Sequence, residues 1–167
     1  AVQAVLTLDQ FDIDLVLGPG TLIDASLSDA VEHLPHIRLH RGLSPKKLAE
    51  LMIEADIALG AGGVMLWERL CLGIPSLVIS TASNQIPQVD TMIAARAIRY
   101  LGHHSDVNPE LISEQIQALA TDKAQCAALI DAGKKLVDGR GSLRLAAWVR
   151  ALALSWRDVQ VGDAKDL

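Results

Sequence analysis

The sequence predicts an α/β fold with a parallel sheet, and three observations support this. Short apolar runs bounded by glycine or proline alternate with longer amphipathic stretches, which is typical of repeated strand and helix units. The apolar runs have the length and composition of buried parallel strands. The chain has 167 residues, of which 50% are hydrophobic and 21% are charged. That suits one domain with a packed core, because domains commonly contain about 100 to 200 residues.

The predicted strands lie at residues 13–17, 37–40, 57–59, 76–79 and 99–101. The predicted helices lie at residues 45–55, 64–72, 85–97, 110–120, 123–135 and 142–155. The clearest helix start is at Pro45, which suits a first helical position, and Ser44 before it can cap the free amides. The last helices have no strand between them, so the sheet is expected to be complete by Leu101.

The polar segment 158–167 has no periodic apolar face and is left without predicted structure. The expected organisation is therefore one domain at residues 1–157 and a tail at residues 158–167. The sequence begins with Ala1, where an amphipathic pattern is already under way without a helix-start signal. We therefore expect the chain to be a piece of a longer protein.

Composition excludes several function classes. The net charge is −5 and no run of Lys or Arg exceeds two residues, so nucleic acid is not an expected partner. No apolar run approaches the roughly 20 residues that cross a bilayer, so no membrane span is predicted. The two cysteines, Cys71 and Cys126, have neither disulfide nor zinc-site spacing. We expect a cytoplasmic protein with no metal and no cofactor.

A glycine-rich segment, DIALGAGGVMLWE at residues 56–68, joins a predicted strand to a predicted helix. Helix amino ends present unpaired N–H groups and partial positive charge, which suits a phosphate or diphosphate. Gly62, Gly63 and Val64 are the candidate donors. The spacing is neither GxGxxG nor that of a P-loop, which disfavours a dinucleotide or ATP. The alternative is that these glycines, with Gly60, only permit a tight turn and close packing of helix on strand.

Three polar side chains near this turn are further candidates. Glu68, early in the helix, can accept both hydroxyls of a ribose, or it can be a solvated acid near a positive helix end. Asn84 and Gln85 follow the next strand, at the edge where ligands of parallel sheets bind. Their amides can bind a phosphate or sugar hydroxyls, while the alternative for Asn84 is an Asx-type helix cap.

The run ADIALGAGGVMLWERLCLGIPSLVISTASNQ resembles the UDP-sugar hydrolases of pseudaminic acid biosynthesis and the related spore-coat-type, glycosyltransferase-like proteins of polysaccharide biosynthesis. The later run DGRGSLRLA is similar to the D-G-[KR]-G-x-x-R ending of that family. The resemblance implies the GT-B architecture, in which two Rossmann-like three-layer domains enclose the active site. The chain matches the carboxyl-terminal, nucleotide-binding domain, so an amino-terminal domain is an expected partner.

The resemblance also implies roles for individual residues. Gly62 and Gly63 with the following amides would hold the diphosphate of a UDP-sugar, and Glu68 the ribose. The loop at Leu43 and Ser44 would contact the uracil edge. Asn84 and Gln85 would face the phosphate or the sugar, with Asn84 the one candidate for a catalytic part in this half; these seven and Val64 complete the predicted set.

The reaction implied for the whole protein is attack of water on the anomeric carbon, with UDP as the leaving group. A glycosyltransferase of the same architecture is the first alternative, and a nonenzymatic nucleotide-sugar sensor or assembly domain is the second. A homo-oligomer is possible through cleft-facing apolar surface. This half is expected to be inactive alone, since the family's catalytic histidine loop lies in the amino-terminal domain.

Two features of the sequence differ from what a catalytic site or the family pattern would show. Its histidines have no acidic partner at a recognisable spacing, so we interpret all of them as structural or surface residues: His33, His36, His40, His103 and His104. Met65 replaces the small polar residue usual at this point in the family, which changes the expected phosphate contacts.

Overall fold

A computed structural model describes residues 2–18, 20–21 and 24–162 of the chain. The strands are β1 Ile13–Leu17, β2 Ile37–Arg41, β3 Ala58–Ala61, β4 Ser76–Ser80 and β5 Arg99–His103. The helices are α1 Val2–Val5, α2 Ala25–Glu32, α3 Pro45–Glu54, α4 Val64–Leu72, α5 Ile86–Ala94, α6 Pro109–Thr121, α7 Lys123–Leu136 and α8 Gly141–Gly162. A 3₁₀ turn at Ser83–Gln85 precedes α5. The α/β class is confirmed.

All strand pairs among the described residues are parallel, but they form two sheets rather than the one predicted. β1 pairs with β2, with Ile13 opposite Ile37. The second sheet has the order β3-β4-β5. Its register places Ala61 opposite Ile79 and Ser80 opposite His103. Parallel pairing directs the carboxyl ends of β3, β4 and β5 to one edge.

The central strand of the second sheet, β4, is buried along its whole length. Leu77 is completely buried and packs in a cluster with Leu119 and Leu129, so α6 and α7 cover one side of the sheet. Its two serines are also buried, and their hydroxyl groups form hydrogen bonds. The Ser76 hydroxyl donates to the Ile74 carbonyl at 2.9 Å, and the Ser80 hydroxyl bonds that of Tyr100 at 2.7 Å.

Local signals correctly located several helix ends. Ser44 Oγ accepts a hydrogen bond from Lys47 N at 3.3 Å, and Pro45 begins α3. Asn108 caps α6 in the same way, with its Oδ1 accepting from Leu111 N at 2.8 Å. Helix α4 has the predicted bounds and ends at Gly73, whose φ of 77° is left-handed and therefore favours glycine.

Three parts of the secondary structure differ from the prediction. Helices α1 and α2 were not predicted; they are short, with four and eight residues. The helix predicted at 85–97 ends at Ala94, because Arg96 takes a left-handed φ of 55° and turns the chain toward β5. Helix α8 continues through Gly162, so residues 158–162 of the predicted tail are helical. The remaining tail, 163–167, lies outside the described residues.

The chain divides into two compact units, residues 1–136 and 137–167. The first contains both sheets. In the second, Arg144 Nη1 donates to Asp138 Oδ2 at 2.6 Å and Arg140 N to Asp138 Oδ1 at 3.0 Å. Arg144 thereby lowers the pKa of Asp138 to about 2.

Helix α8 exposes a run of apolar side chains: Leu143, Leu145, Trp148, Val149, Leu152 and Leu154. None of the helices described has the length and apolar character to cross a membrane.

We predict that Leu77→Ala lowers the free energy of unfolding by about 2 to 5 kcal/mol, because it leaves a cavity in the centre of the core. Leu145→Ala is the matched control, since that side chain is 65% exposed and its loss leaves no cavity. Urea denaturation of both variants measures the difference. Equal effects would contradict the assignment of the core to the region around β4.

Candidate functional site

Three loops leave the second sheet at the carboxyl edge of its strands. The glycine turn at Gly62 and Gly63 follows β3, a loop at residues 81–85 follows β4, and a turn at residues 104–106 follows β5. The parallel register keeps these exits together, and His104 N donates to the Ser80 carbonyl at 2.9 Å. Ligands of open parallel sheets bind at this edge.

The first helix after this edge, α4, starts without a capping side chain. Gly63 is its N-cap, with φ −87° and ψ −160°, and it offers no side-chain acceptor. Leu66 N donates back to the Gly63 carbonyl at 3.0 Å, which leaves the amides of Val64 and Met65 at the open helix end. An uncapped helix start with partial positive charge suits an anion.

The three glycines of the turn have different surroundings. A Cβ at Gly60 would collide with the guanidinium of Arg69, and one at Gly62 would lie 2.5 Å from Val89 Cγ2. Close packing therefore accounts for Gly60 and Gly62. A Cβ at Gly63 would meet nothing nearer than Gln85 Nε2, at 4.0 Å. Gly63 thus faces open space, where a ligand can approach the backbone.

Gln85 lies beside the glycine turn. Its Oε1 accepts from Thr81 N at 3.0 Å, and its Nε2 donates to Thr81 Oγ1 at 3.1 Å. Its side chain is also among the nearest neighbours of the space above Gly62 and Gly63. The structure therefore brings Gln85 and the glycine turn together, with the Gln85 amide partly engaged in ordering its own loop.

Asn84 does not cap a helix, so the Asx-cap alternative is wrong. The residues at the N-cap positions of the 3₁₀ turn and α5 are Ala82 and Gln85, and neither helix has a side-chain cap. Asn84 is exposed, and none of the side-chain hydrogen bonds recorded for the described residues involves it. Its amide is open to solvent or a ligand.

Glu68 is exposed on α4 and is not in an ion pair with any described residue. Its neighbour Trp67 donates from Nε1 to Gln88 Oε1 at 3.2 Å, which ties α4 to α5. That bond fixes the start of α4 against the helix that follows the second loop. The carboxylate of Glu68 remains free to accept hydrogen bonds.

The predicted loop at Leu43 and Ser44 follows β2, in the two-stranded sheet. The Ser44 hydroxyl is the acceptor that caps α3, and Leu43 is half-buried. Helix α3 contacts α4, so the helices that follow the two loops are neighbours. The loop at Leu43 and Ser44 does not belong to the sheet that carries the glycine turn. It is linked to that turn through the contact between α3 and α4.

Sequence reasoning missed Arg69, which is 4% exposed and lies under the turn. Its Nη2 donates to the Ala61 carbonyl at 2.9 Å. Burial lowers its pKa to about 10. One signal was available, since Arg69 falls three residues after Leu66 and directly before Leu70, on the buried face of α4.

The expectation that no histidine has an acidic partner at a recognisable spacing is wrong for His33, whose Nδ1 lies 3.7 Å from Oδ1 of Asp29, four residues earlier. An acidic partner distant in sequence lies beside His40. Its Nε2 lies 2.7 Å from Asp14 Oδ1, although the two residues are 26 apart in sequence. The parallel pairing of β1 with β2 brings them together. Arg38 donates to both oxygens of Asp14 at 2.8 Å. Arg38 first, and His40 with it, lower the pKa of Asp14 to about 2.

Two open concavities on the surface contain no predicted site residue. One is lined by Val31, Ile37, Leu39 and Arg41. The other is lined by Gln3, Thr7, Pro109, Glu110 and Ser113. The glycine turn and the loop at residues 81–85 instead lie at the carboxyl edge of the second sheet.

Comparison with known proteins adds a homologue. The chain is 33% identical over 137 residues to the spore coat polysaccharide biosynthesis protein SpsG of Bacillus subtilis (strain 168), a match that covers 82% of this chain and 40% of that protein. The chain thus spans well under half the length of its curated relative. No protein-family model matches it.

Solved structures agree on the architecture. The glycotransferase of kitacinnamycin matches with a TM-score of 0.67 at 20% identity, over 90% of this chain and 37% of that one. The calicheamicin glycosyltransferase CalG4 matches with a TM-score of 0.61 at 20% identity, over 90% of this chain and 39% of that one. The chain has the fold of a GT-B glycosyltransferase domain. A candidate UDP-N-acetylglucosamine 2-epimerase from Listeria monocytogenes also matches, with a TM-score of 0.66 at 13% identity, over 92% of this chain and 48% of that one.

We predict that Gly62→Ala destabilises the domain by about 1 to 3 kcal/mol, because the new methyl overlaps the stiff side chain of buried Val89. Gly63→Ala is the control and is expected to change the free energy of unfolding by less than about 0.5 kcal/mol. Thermal or urea unfolding checks both. A destabilised Gly63→Ala variant would show that this glycine is also required for packing.

We predict that the effect of Asp14→Asn on stability depends on pH. The folded-state pKa of Asp14 is lowered from 3.8 to about 2, so its carboxylate contributes stability that is present above pH 3.8 and lost as the pH falls through about 2. The difference in unfolding free energy between wild type and variant should therefore shrink as the pH falls from 3.8 through about 2. Asp9→Asn, at an exposed position, is the control. A difference that does not change with pH would contradict the ion pair.

Proposed function

We propose that the chain is the nucleotide-binding half of a GT-B glycosyltransferase of polysaccharide biosynthesis, and that it holds the diphosphate of a UDP-sugar at the start of α4. The observation that carries the proposal is the uncapped helix end behind Gly63, which faces open space at the carboxyl edge of a parallel sheet. The homology to a spore coat polysaccharide biosynthesis protein supports the assignment to polysaccharide biosynthesis.

The remaining candidates would complete this site. The amides of Gly62, Gly63 and Val64 would bind the phosphate oxygens, and the exposed Glu68 would accept the ribose hydroxyls. Asn84, whose amide is open, would face the phosphate or the sugar. Leu43 and Ser44 would contact the uracil edge, and Gln85 would order the loop beneath the ligand.

A transferase accounts for the comparisons better than the hydrolase implied by the family resemblance. Two of the structures that share the fold are described as glycosyltransferases, and none of the named relatives is described as a hydrolase. In a transferase, an acceptor hydroxyl attacks the anomeric carbon, the bond to the diphosphate oxygen breaks, and UDP leaves. The acceptor's proton passes to a base in the partner domain.

This half would then stabilise the leaving group. Negative charge grows on the diphosphate oxygen as the glycosidic bond breaks, and fixed N–H donors at a helix end lower the energy of that charge. The acceptor and the base would belong to the amino-terminal domain. The isolated chain is therefore expected to bind UDP without transferring sugar.

We predict that the wild-type chain binds UDP and that Gly63→Val weakens binding roughly tenfold or more, because the branched side chain fills the open space above the turn. Calorimetric titration measures the affinity. Gly63→Ala, with a smaller side chain, is expected to have an intermediate effect. Absence of UDP binding to the folded wild type would refute a nucleotide site in this chain.

We predict that Glu68 recognises the ribose. Wild type should bind UDP more tightly than 2′-deoxy-UDP, since a carboxylate that loses one of two hydroxyl partners loses a charge-assisted hydrogen bond, worth roughly tenfold in affinity. Glu68→Ala should abolish this preference, whereas Glu114→Ala, which removes an exposed acid on α6, should retain it. If Glu68→Ala still discriminates between the two nucleotides, the ribose contact lies elsewhere.

A further inference from the structure

The guanidinium of Arg69 lies directly against the backbone of the glycine turn. Its Nη2 donates to the Ala61 carbonyl at 2.9 Å, and its Nη1 occupies the space that Gly60 leaves by having no side chain. The residue is 4% exposed. A long cationic side chain is therefore enclosed between β3 and α4, immediately behind the backbone that faces the proposed ligand.

The described residues give this buried cation no carboxylate. Arg69 is in none of their ion pairs, and its Nε is buried without a hydrogen-bond partner among them. Burial lowers its pKa to about 10, so it stays charged at neutral pH. An enclosed charge with no opposite charge is unfavourable, and proteins normally pair it.

The amino end of α4 adds positive character at the same turn. The helix dipole places partial positive charge at Gly63 and Val64, and no side chain caps this end. The guanidinium and the helix end therefore both raise the electrostatic potential on the backbone between Gly60 and Val64. A bound anion at the turn would offset both.

We infer that Arg69 is a positioning residue that makes the turn selective for a diphosphate. It holds the Ala61 carbonyl, which directs the following amides toward the ligand, and its charge attracts the two phosphates through the intervening backbone of the turn. Attraction through a medium of low dielectric is stronger than the same attraction through water. Arg69 acts without touching the ligand, and this role rests on the proposed UDP-sugar site.

The selectivity follows from charge. A nucleoside gains nothing from a buried cation, a monophosphate gains part of the attraction, and a diphosphate gains most of it. The wild-type affinities are therefore expected to rise from uridine through UMP to UDP. Loss of the Arg69 charge should lower the affinity for UDP most and the affinity for UMP less, and it should leave the affinity for uridine unchanged.

The test compares Arg69→Met with Arg69→Lys in NMR-detected titrations with UDP and uridine. Methionine fills similar space without charge, and its UDP affinity is expected to fall roughly tenfold while its uridine affinity stays within about twofold. Lysine keeps the charge and should recover most of the UDP affinity. An equal loss for UDP and uridine, or no loss in a folded Arg69→Met variant, would overturn the inference.

A second measurement uses only the wild-type chain. The buried Nε–H of Arg69 should give a slowly exchanging ¹⁵N resonance in the wild type, and UDP should shift it while uridine should not. An unchanged Nε–H resonance at UDP saturation would overturn the role of Arg69 and leave the proposed function intact. Failure of the wild type to bind UDP would instead overturn both.

Discussion

The burial of β4 between two parallel neighbours is the constraint on which the candidate site depends. All residues of β4 are buried, and its polar groups are satisfied internally, so the strand has one direction and one register. That register fixes where β3 and β5 end. The glycine turn and the loop that carries Asn84 and Gln85 must then leave at the same edge, which is where the uncapped end of α4 also begins.

The glycine turn contains two closely packed glycines and one glycine that faces open space. Gly60 and Gly62 are glycines because Arg69 and Val89 occupy the adjacent space, whereas Gly63 faces outward. The first two bring helix and strand close together, and the third leaves the backbone accessible. Packing accounts for the first two glycines but not for the enclosed, unpaired charge of Arg69, which the proposed anionic ligand would offset.

Local sequence signals predicted much of the fold, including the position of the glycine turn. Ser44 and Gly73 mark helix ends through interactions within a few residues, so their roles can be inferred without knowing the tertiary structure. The glycine turn was predictable for the same reason. The pairing of Asp14 with His40 depends instead on strands that meet only after folding. Helix α2 was missed because its eight residues give only about two turns of pattern; it packs against β2.

Arg69 illustrates a different limit. An arginine in a helix is usually exposed, and only its place between Leu66 and Leu70 on the buried face of α4 pointed inward. Its consequence, a positive charge behind the glycine turn, could be derived only from the contact with Ala61 and the space at Gly60. The finding that Asn84 does not cap a helix likewise required the structure, because capping and ligand binding would use the same side chain.

The most direct test of the diphosphate site is an amide NMR titration of the wild-type chain with UDP. The amide resonances of Gly62, Gly63 and Val64 should shift most, since their N–H groups would bind the phosphates. Uridine should shift them far less. Shifts concentrated around the concavity lined by Val31, Ile37, Leu39 and Arg41, with the glycine turn unchanged, would contradict the account.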